Sequence, residues 1–326
     1  MQQAFNLQIN NYQIGNHVFY SNASAPSVPT SISQLITSIS GLDNSVQYQP
    51  LYQRARNGSR NSTALATPGG FGPKDLSGAY NASPLQNAGT LGDNQTVAIF
   101  ELDGYQPIDV AQYFLNYNLG SPNLSNVLVD GFSGTAGSGA IEVELDIEVV
   151  AAMAPHANQI IYEGPNTTTG LNDTYNKIVT DNKAQIASTS WGLCEASTGN
   201  AELQTLDAIL KQGAAQGIAF FAASGDSGAY DCGNSNLAVD SPASDPYVTG
   251  VGGTNLQLNA GAYGSESVWS NPNDTQRSPN GAGGGGGISS FFSQPSWQTG
   301  TGVGNGNGGN RQVPDVSADA DPATGY

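Results

Sequence analysis

Ile141-Glu142-Val143-Glu144-Leu145-Asp146-Ile147-Glu148-Val149-Val150-Ala151-Ala152-Met153 stands between two short apolar runs, Val127-Leu128-Val129 before it and Ile160-Ile161-Tyr162 after it. The flanking runs read as strands and the stretch between them as a helix, which makes one strand-helix-strand unit. The alternation continues in both directions. Upstream, Val97-Ala98-Ile99-Phe100 reads as a buried strand, followed by a helix carrying Val110, Tyr113, Phe114 and Tyr117. Downstream come a helix near Tyr175 to Asp181, a strand from Ile186 to Ser190, a helix through Leu203, Leu206 and Leu210, and a strand from Ile218 to Ala222. Repeated alternation of this kind predicts an α/β fold, a parallel sheet with helices on both faces.

Within the opening stretch the turn of about 100° per residue separates the carboxylates. Val143, Ile147 and Val150 fall on one side, and Leu145, Val149 and Met153 on the other. Glu142 and Asp146 lie in the middle of the arc between them, whereas Glu144 and Glu148 lie opposite, where a solvated face is expected. A carboxylate turned inward without a basic partner costs several kcal/mol, so an inward pair points to chemistry or metal binding. The alternative is a helix end touching solvent. Ligands of parallel sheets bind outside the carboxyl ends of the strands. Glu101, Ser190-Trp191-Gly192 and Gly225-Asp226-Ser227-Gly228 each follow a strand directly and share that rim, and the helix holding Glu142 and Asp146 starts on the same side.

Ahead of this unit, Phe5-Leu7-Ile9 and Val18-Tyr20 alternate apolar with polar residues around a Gly15-Asn16 turn, which predicts a hairpin. Ser31 is placed to cap a helix through Ile32, Leu35, Ile36 and Ile39 that Gly41 ends. Residues 44–75 read as a linker containing Arg54, Arg56 and Arg60, either an ordinary solvated connection or a segment where cleavage is tolerated. At the other end, Gly283 to Gly287 reads as a flexible loop or a place of close backbone approach, with the loop favoured on composition.

Composition narrows the function classes. With 326 residues the chain is long enough for one large domain and a small one. Its 26 acidic against 9 basic residues give a net charge of -17, which opposes binding to nucleic acid or to anionic membranes. Charged residues make up only 11% of the chain, so Gly, Ser, Thr and Asn supply the polar surface, as in secreted proteins that work in acid. There is no apolar run long enough to span a bilayer. Asn-x-Ser/Thr sequons such as Asn81-Ala82-Ser83 and Asn273-Asp274-Thr275 fit a secretory route. Cys194 and Cys232 are too few for a zinc site and match no redox spacing, leaving a single disulfide as the first reading.

Gly225-Asp226-Ser227-Gly228 looks like the nucleophile loop of chymotrypsin-like peptidases, but that chemistry needs a histidine base. The chain has only His17, in the N-terminal unit, and His156, read as a C-terminal residue of the acidic helix facing its dipole. Glu142, Asp146 and Asp226 offer another solution. In acid a histidine is already protonated, whereas a carboxylate retains useful basicity.

Five stretches in order then resemble the sedolisin family, the serine-carboxyl peptidases, and its kumamolisin-like members in particular. They are Glu142-Val143-Glu144-Leu145-Asp146-Ile147-Glu148; Ser188-Thr189-Ser190-Trp191-Gly192; Ala223-Ser224-Gly225-Asp226-Ser227-Gly228; Gly285-Gly286-Gly287-Ile288-Ser289 with Pro295-Ser296-Trp297-Gln298; and Val313-Pro314-Asp315-Val316. The resemblance implies a subtilisin-like fold and acid endopeptidase activity on polypeptide substrates by a secreted monomer. It implies that residues 1–66 are the later part of an activation propeptide, a small α+β remnant that inhibits the enzyme it precedes, and that 67–326 are an incomplete catalytic domain. It implies Glu142 as general base, Asp146 as its orienting partner, Asp226 as the oxyanion residue, Glu101 and Trp191 as an extension of the carboxylate chain, Ser190 and Gly192 along the substrate backbone, and Asp240 at a substrate pocket. The family's nucleophile lies in a Gly-Thr-Ser motif followed by an aspartate-containing calcium loop. No Gly-Thr-Ser occurs here, so the serine and the calcium ligands are expected C-terminal to Tyr326, with no metal site within the chain. A non-catalytic peptide-binding protein of the same fold is the alternative. An acidic calcium-binding surface domain would need clustered loop ligands, which the sequence does not contain.

Overall fold

A computed structural model describes residues 2–54, 70–275, 278–303 and 308–325. The dominant element is an eight-stranded sheet built on the apolar runs. In chain order its first strands are β4 (Thr96–Glu101), β5 (Leu124–Leu128), β6 (Asn158–Glu163), β7 (Ile186–Thr189) and β9 (Ala219–Ala223), followed by β11 (Val248–Asn259) and β12 (Ala262–Val268). Their spatial order is β12-β11-β9-β7-β4-β6-β5, with Val316–Asp319 also paired to β11. All neighbours are parallel except β11 and β12. The chain runs from β4 out to β5, back to β6, then crosses to β7 on the other side of β4, so the strand order reverses at β4. The crevice beyond the carboxyl ends of β4 and β7 is where such a sheet opens for a ligand.

Side-chain alternation along β4 shows why both faces are covered. Ala98 and Phe100 join Ile160 and Tyr162 in a cluster with Leu171, Tyr175, Leu206 and Leu210, from the helices Thr168–Asp181 and Asn200–Ala215. Val97, Ile99 and Ile161 point the other way, into Val110, Phe114, Val143 and Ile147 of the helices Pro107–Tyr117 and Ala140–Met153. A strand buried on both faces is built from apolar residues, as β4 is from Val97 to Phe100, and Glu101 at its carboxyl end is the buried polar exception.

The N-terminal hairpin forms from β1 (Ile9–Ile14) and β2 (His17–Asn22) around Gly15 in the left-handed region. It starts later than expected, because Phe5 ends a helical turn instead of entering the strand. The helix expected from Ser31 to Ile39 is a single turn, Thr30–Ser33. Beyond it, Ser38 Oγ contacts Thr205 Oγ1 at 2.7 Å, and Ser40 Oγ accepts from Asn172 Nδ2 at 3.3 Å, so tertiary contacts override the local periodicity. Residues 49–53 are not a free linker either. Gln49 and Pro50 form β3, antiparallel to β8 (Trp191–Cys194), which pairs on its other edge with β10 (Asp240–Ser241). Arg54 is exposed, while Arg56 and Arg60 lie outside the described residues.

The glycine run forms an ordered close contact instead of a loose loop. A Cβ on Gly285 would lie 1.8 Å from Ser224 O, and one on Gly284 would lie 2.6 Å from Gly253 O. Further along, the wholly buried Arg311 makes a forked ion pair with Asp315, and Asp315 Oδ2 also accepts from Gly250 N at 2.8 Å. This ties the segment 310–319, whose strands Asn310–Val313 and Val316–Asp319 lie in different sheets, to β11. Asp315→Ala strands a buried guanidinium and is expected to lower unfolding stability by about 3–5 kcal/mol in a denaturant titration; a loss below about 1 kcal/mol would show that the pair does not hold this segment.

Candidate active site

The crevice beyond β4 and β7 collects the expected residues. Glu101 is the last residue of β4 and is wholly buried; Ser190 and Trp191 follow β7; Asp226 follows β9 by way of Gly225, whose φ of +105° turns the chain out of the sheet. The Ala140–Met153 helix brings Glu142 and Asp146, one turn apart, to the same place. A cavity of roughly 300 Å³ is lined by Glu142, Asp146, Ser190 and Asp226, and an adjoining one of roughly 470 Å³ by Gly192, Asp226 and Asp240. Glu101 and Trp191 sit behind the first cavity and support its wall.

A hydrogen-bond chain joins these groups. Trp191 Nε1 donates to Glu101 Oε2 at 2.7 Å, Glu101 is hydrogen-bonded to Asp146, and Ser190 Oγ donates to Asp146 Oδ1 at 2.7 Å. Two carboxyl groups make a hydrogen bond only when one of them carries a proton. Burial, then the adjacent Asp146, push Glu101 well above the usual carboxylate range, so Glu101 holds that proton and gives its hydrogen bond to Asp146. Burial likewise raises Asp146, to about 6, against the opposing hydrogen bonds from Ser190 and Glu101. Glu142 is almost fully buried at 1% exposure and faces this pair.

On the far side of the cleft, Asp240 is buried against Gly192. A Cβ there would lie 2.2 Å from Asp240 Oδ1, so only glycine lets the carboxyl approach. Burial raises Asp240 strongly, followed by the charge of Asp231, to which it is hydrogen-bonded. Cys194 and Cys232 are joined in a disulfide with Cα atoms 5.0 Å apart, fastening the loop that carries Asp231 to β8. Sequence reasoning did not single out Asp231, which reaches Asp240 only through this crosslinked loop.

The cleft is crossed by the chain's own residues 49–53. Beyond the β3 pairing, Leu51 N donates to Ser190 O at 2.7 Å and Gln53 Nε2 donates to Asp226 O at 3.4 Å. An extended segment thus lies along Ser190 and Gly192 as a peptide would. Among serines lining the cleft, Ser190 gives its hydroxyl to Asp146, and Ser224 gives its own to Gly285 O.

Two expectations about the helix change. Glu144 and Glu148 do not form an open solvated face, because the Pro107–Tyr117 helix packs there: Glu144 Oε1 accepts from Gln106 N at 3.0 Å, and burial followed by Glu144 raises Glu148 to about 8. His156 lies beyond the end of the helix and bonds Asp93 Oδ1 through Nδ1 at 2.9 Å, and His17 contacts Ser45 O. Neither histidine is near the cleft. Among the described residues no group of three or more metal-ligating side chains is arranged to hold a metal ion, and no helix is long and apolar enough to cross a membrane.

The raised carboxyls set a pH dependence. Asp146 at about 6, Glu202, Asp245 and Asp319 at about 7 and Glu148 at about 8 owe their shifts first to burial. Each holds its proton to higher pH when folded than when unfolded. The stability they contribute is complete below the ordinary carboxylate values and is lost as pH rises through 6 to 8. The thermal midpoint is expected to fall between about pH 4 and pH 8, and Glu148→Gln to lessen that fall; a midpoint that climbs over this range would contradict the assignment.

No family model matches the chain. Kumamolisin of Bacillus sp. strain MN-32 is 37% identical over 341 residues, covering 100% of this chain and 60% of that protein. Sedolisin of Pseudomonas sp. strain 101 is 33% identical over 343 residues, covering 100% of this chain and 57% of that protein. The chain thus spans less than two thirds of these relatives. A solved structure of Pseudomonas sedolisin, a serine-carboxyl proteinase complexed with two molecules of pseudo-iodotyrostatin, aligns with a TM-score of 0.69 at 34% identity, covering 79% of this chain and 73% of that one.

Proposed function

The chain belongs to the sedolisin family of serine-carboxyl peptidases, and on that premise we propose that its protein is a secreted, acid-acting endopeptidase that cleaves polypeptides with Glu142 as general base. The observation that carries the proposal is the chain Trp191–Glu101–Asp146–Ser190 beside Glu142, in a cleft already crossed by an extended peptide segment.

In this reading a serine outside the set gathered here, C-terminal to Tyr326, attacks the scissile carbonyl carbon while its proton passes to Glu142. Asp146 orients Glu142, and Glu101 and Trp191 hold Asp146 in place. Asp226, protonated, donates to the oxygen that gains negative charge as the carbonyl bond opens. The proton on Glu142 then goes to the leaving amine, and water repeats the sequence to release the acyl group. Acid favours the protonated Asp226 that this step needs. Ser190 and Gly192 align the substrate backbone as they align residues 49–53, and Asp240 lines a subsite.

Residues 1–66 act as the later part of a propeptide, and 67–326 belong to the catalytic domain. The pairing of Gln49 and Pro50 with Trp191 and Gly192 supports autoinhibition, because the segment occupies the edge a substrate needs. The calcium of the family is assigned to residues outside this chain, and the enzyme works as a monomer.

In the whole protein, Glu142→Gln is expected to lower kcat about 10³-fold on a peptide substrate in acid, in the range for removal of a general base. Ser227→Ala should leave kcat within a few-fold, since Ser227 is not the nucleophile. Retained activity in the first variant, or its loss in the second, would overturn the assignment.

A further inference from the structure

We propose that Asp103 is a positioning residue that sets the rotational phase of the helix bearing Glu142 and Asp146. The inference rests on the acid-peptidase reading above and adds a residue that carries none of the chemistry itself. Asp103 lies two residues after Glu101, where β4 gives way to a turn. Its carboxylate accepts three backbone N–H groups: Oδ1 from Gly104 at 2.7 Å and Gly137 at 2.8 Å, and Oδ2 from Gly139 at 2.7 Å. Gly139 is the residue at which the Ala140–Met153 helix begins, no side chain within the helix caps that end, and Glu142 N bonds back to Gly139 O at 2.9 Å. One strand end therefore supplies both the carboxyl that meets Asp146 and the carboxylate that holds the start of the helix presenting Asp146.

The entry loop has no slack. Gly104 pairs with Ala136 in an isolated bridge, and a Cβ on Gly104 would lie 2.3 Å from Gly134 O. A Cβ on Gly137 would lie 2.7 Å from Asp103 Oδ2, and one on Gly139 would lie 2.6 Å from Trp191 Cη2. Asp103 and Trp191 thus grip the same residue from two directions, and Trp191 is already fixed by Glu101. A helix about 10–12 Å across carries its side-chain tips roughly 5–6 Å from the axis. A rotation of about 10° then moves the Glu142 carboxylate by about 1 Å, and a displacement of that size at a reacting group costs about 10²-fold in rate. The backbone that aligns the peptide, Ser190 O and the edge of β8, belongs to the sheet β10-β8-β3 and its approach and not to the helix or its entry loop, and the Asp103 hydrogen bonds go to Gly104, Gly137 and Gly139, so a small rotation of the helix leaves that edge in place.

The test compares Asp103→Ala, Asp103→Asn and Glu142→Gln in the whole protein on one peptide substrate in acid. Asp103→Ala is expected to lower kcat by about 10- to 100-fold while KM stays within a few-fold, because peptide alignment is untouched. Asp103→Asn retains part of the acceptor geometry and should recover part of the loss. A kcat within a few-fold of the parent in both variants, or a parallel worsening of kcat and KM as expected for general damage to the cleft, overturns the inference. If Asp103→Ala does not fold, Asp103→Asn decides by the same criteria. Should Glu142→Gln keep its activity, the peptidase mechanism fails; should Glu142→Gln be inactive and both Asp103 variants be unimpaired, only the positioning role fails.

Discussion

Two carboxyl groups in hydrogen-bond contact inside a protein cannot both be ionised. At an effective dielectric of about 20, like charges 4 Å apart repel by about 4 kcal/mol before any cost of burial is added. Glu101 and Asp146 meet under that constraint, with Glu142 close by and Trp191 filling the last direction. The proton on Glu101 is therefore structural as well as electrostatic, since it makes the bond that fixes Asp146. The same constraint recurs across the cleft, where Asp240 and Asp231 share a hydrogen bond. A cleft assembled from such pairs is best ordered in acid. In acid, solvent protons neutralise such carboxyls where cationic partners are few, and this chain has 26 acidic against 9 basic residues.

The sheet supplies the geometry that the carboxyls need. At the reversal beside β4 the ends of two neighbouring strands open a crevice, and Glu101 and Ser190 stand at those two ends. Glycine at 192, 225 and 285 permits backbone or carboxyl approach that no side chain would allow. The chemistry-bearing residues come from five separated stretches, but each is delivered by a strand end or by the helix packed beside it.

Much of this was legible in sequence because it is local. The parallel strands β4, β5, β6, β7 and β9 and the four long helices follow from hydrophobic periodicity, and a helical wheel alone set Glu142 and Asp146 apart from Glu144 and Glu148. The wheel failed on the second pair's surroundings, because period reports which residues share a face and not how many faces are covered. Asp103 escaped notice since its partners, 34 and 36 residues away, are backbone amides with no pattern of their own. The 49–53 strap escaped for a similar reason: Gln49-Pro50 carries no strand signal, and its partner strand lies far along the chain. The expected Ser31–Ile39 helix shows the converse case, where a correct local spacing yields to contacts made by Ser38 and Ser40 with distant helices.

Ser190 links the two halves of the site. Its carbonyl accepts from Leu51 N, the bond that seats an extended segment, while its hydroxyl donates to Asp146. Ser190 lies between β7 and β8, with Trp191 next to it bound to Glu101, so the residue is fixed on both sides. It serves the peptide edge through its backbone and the carboxylates through its side chain, so the two parts of the site meet in one residue on different atoms and each can be perturbed without the other.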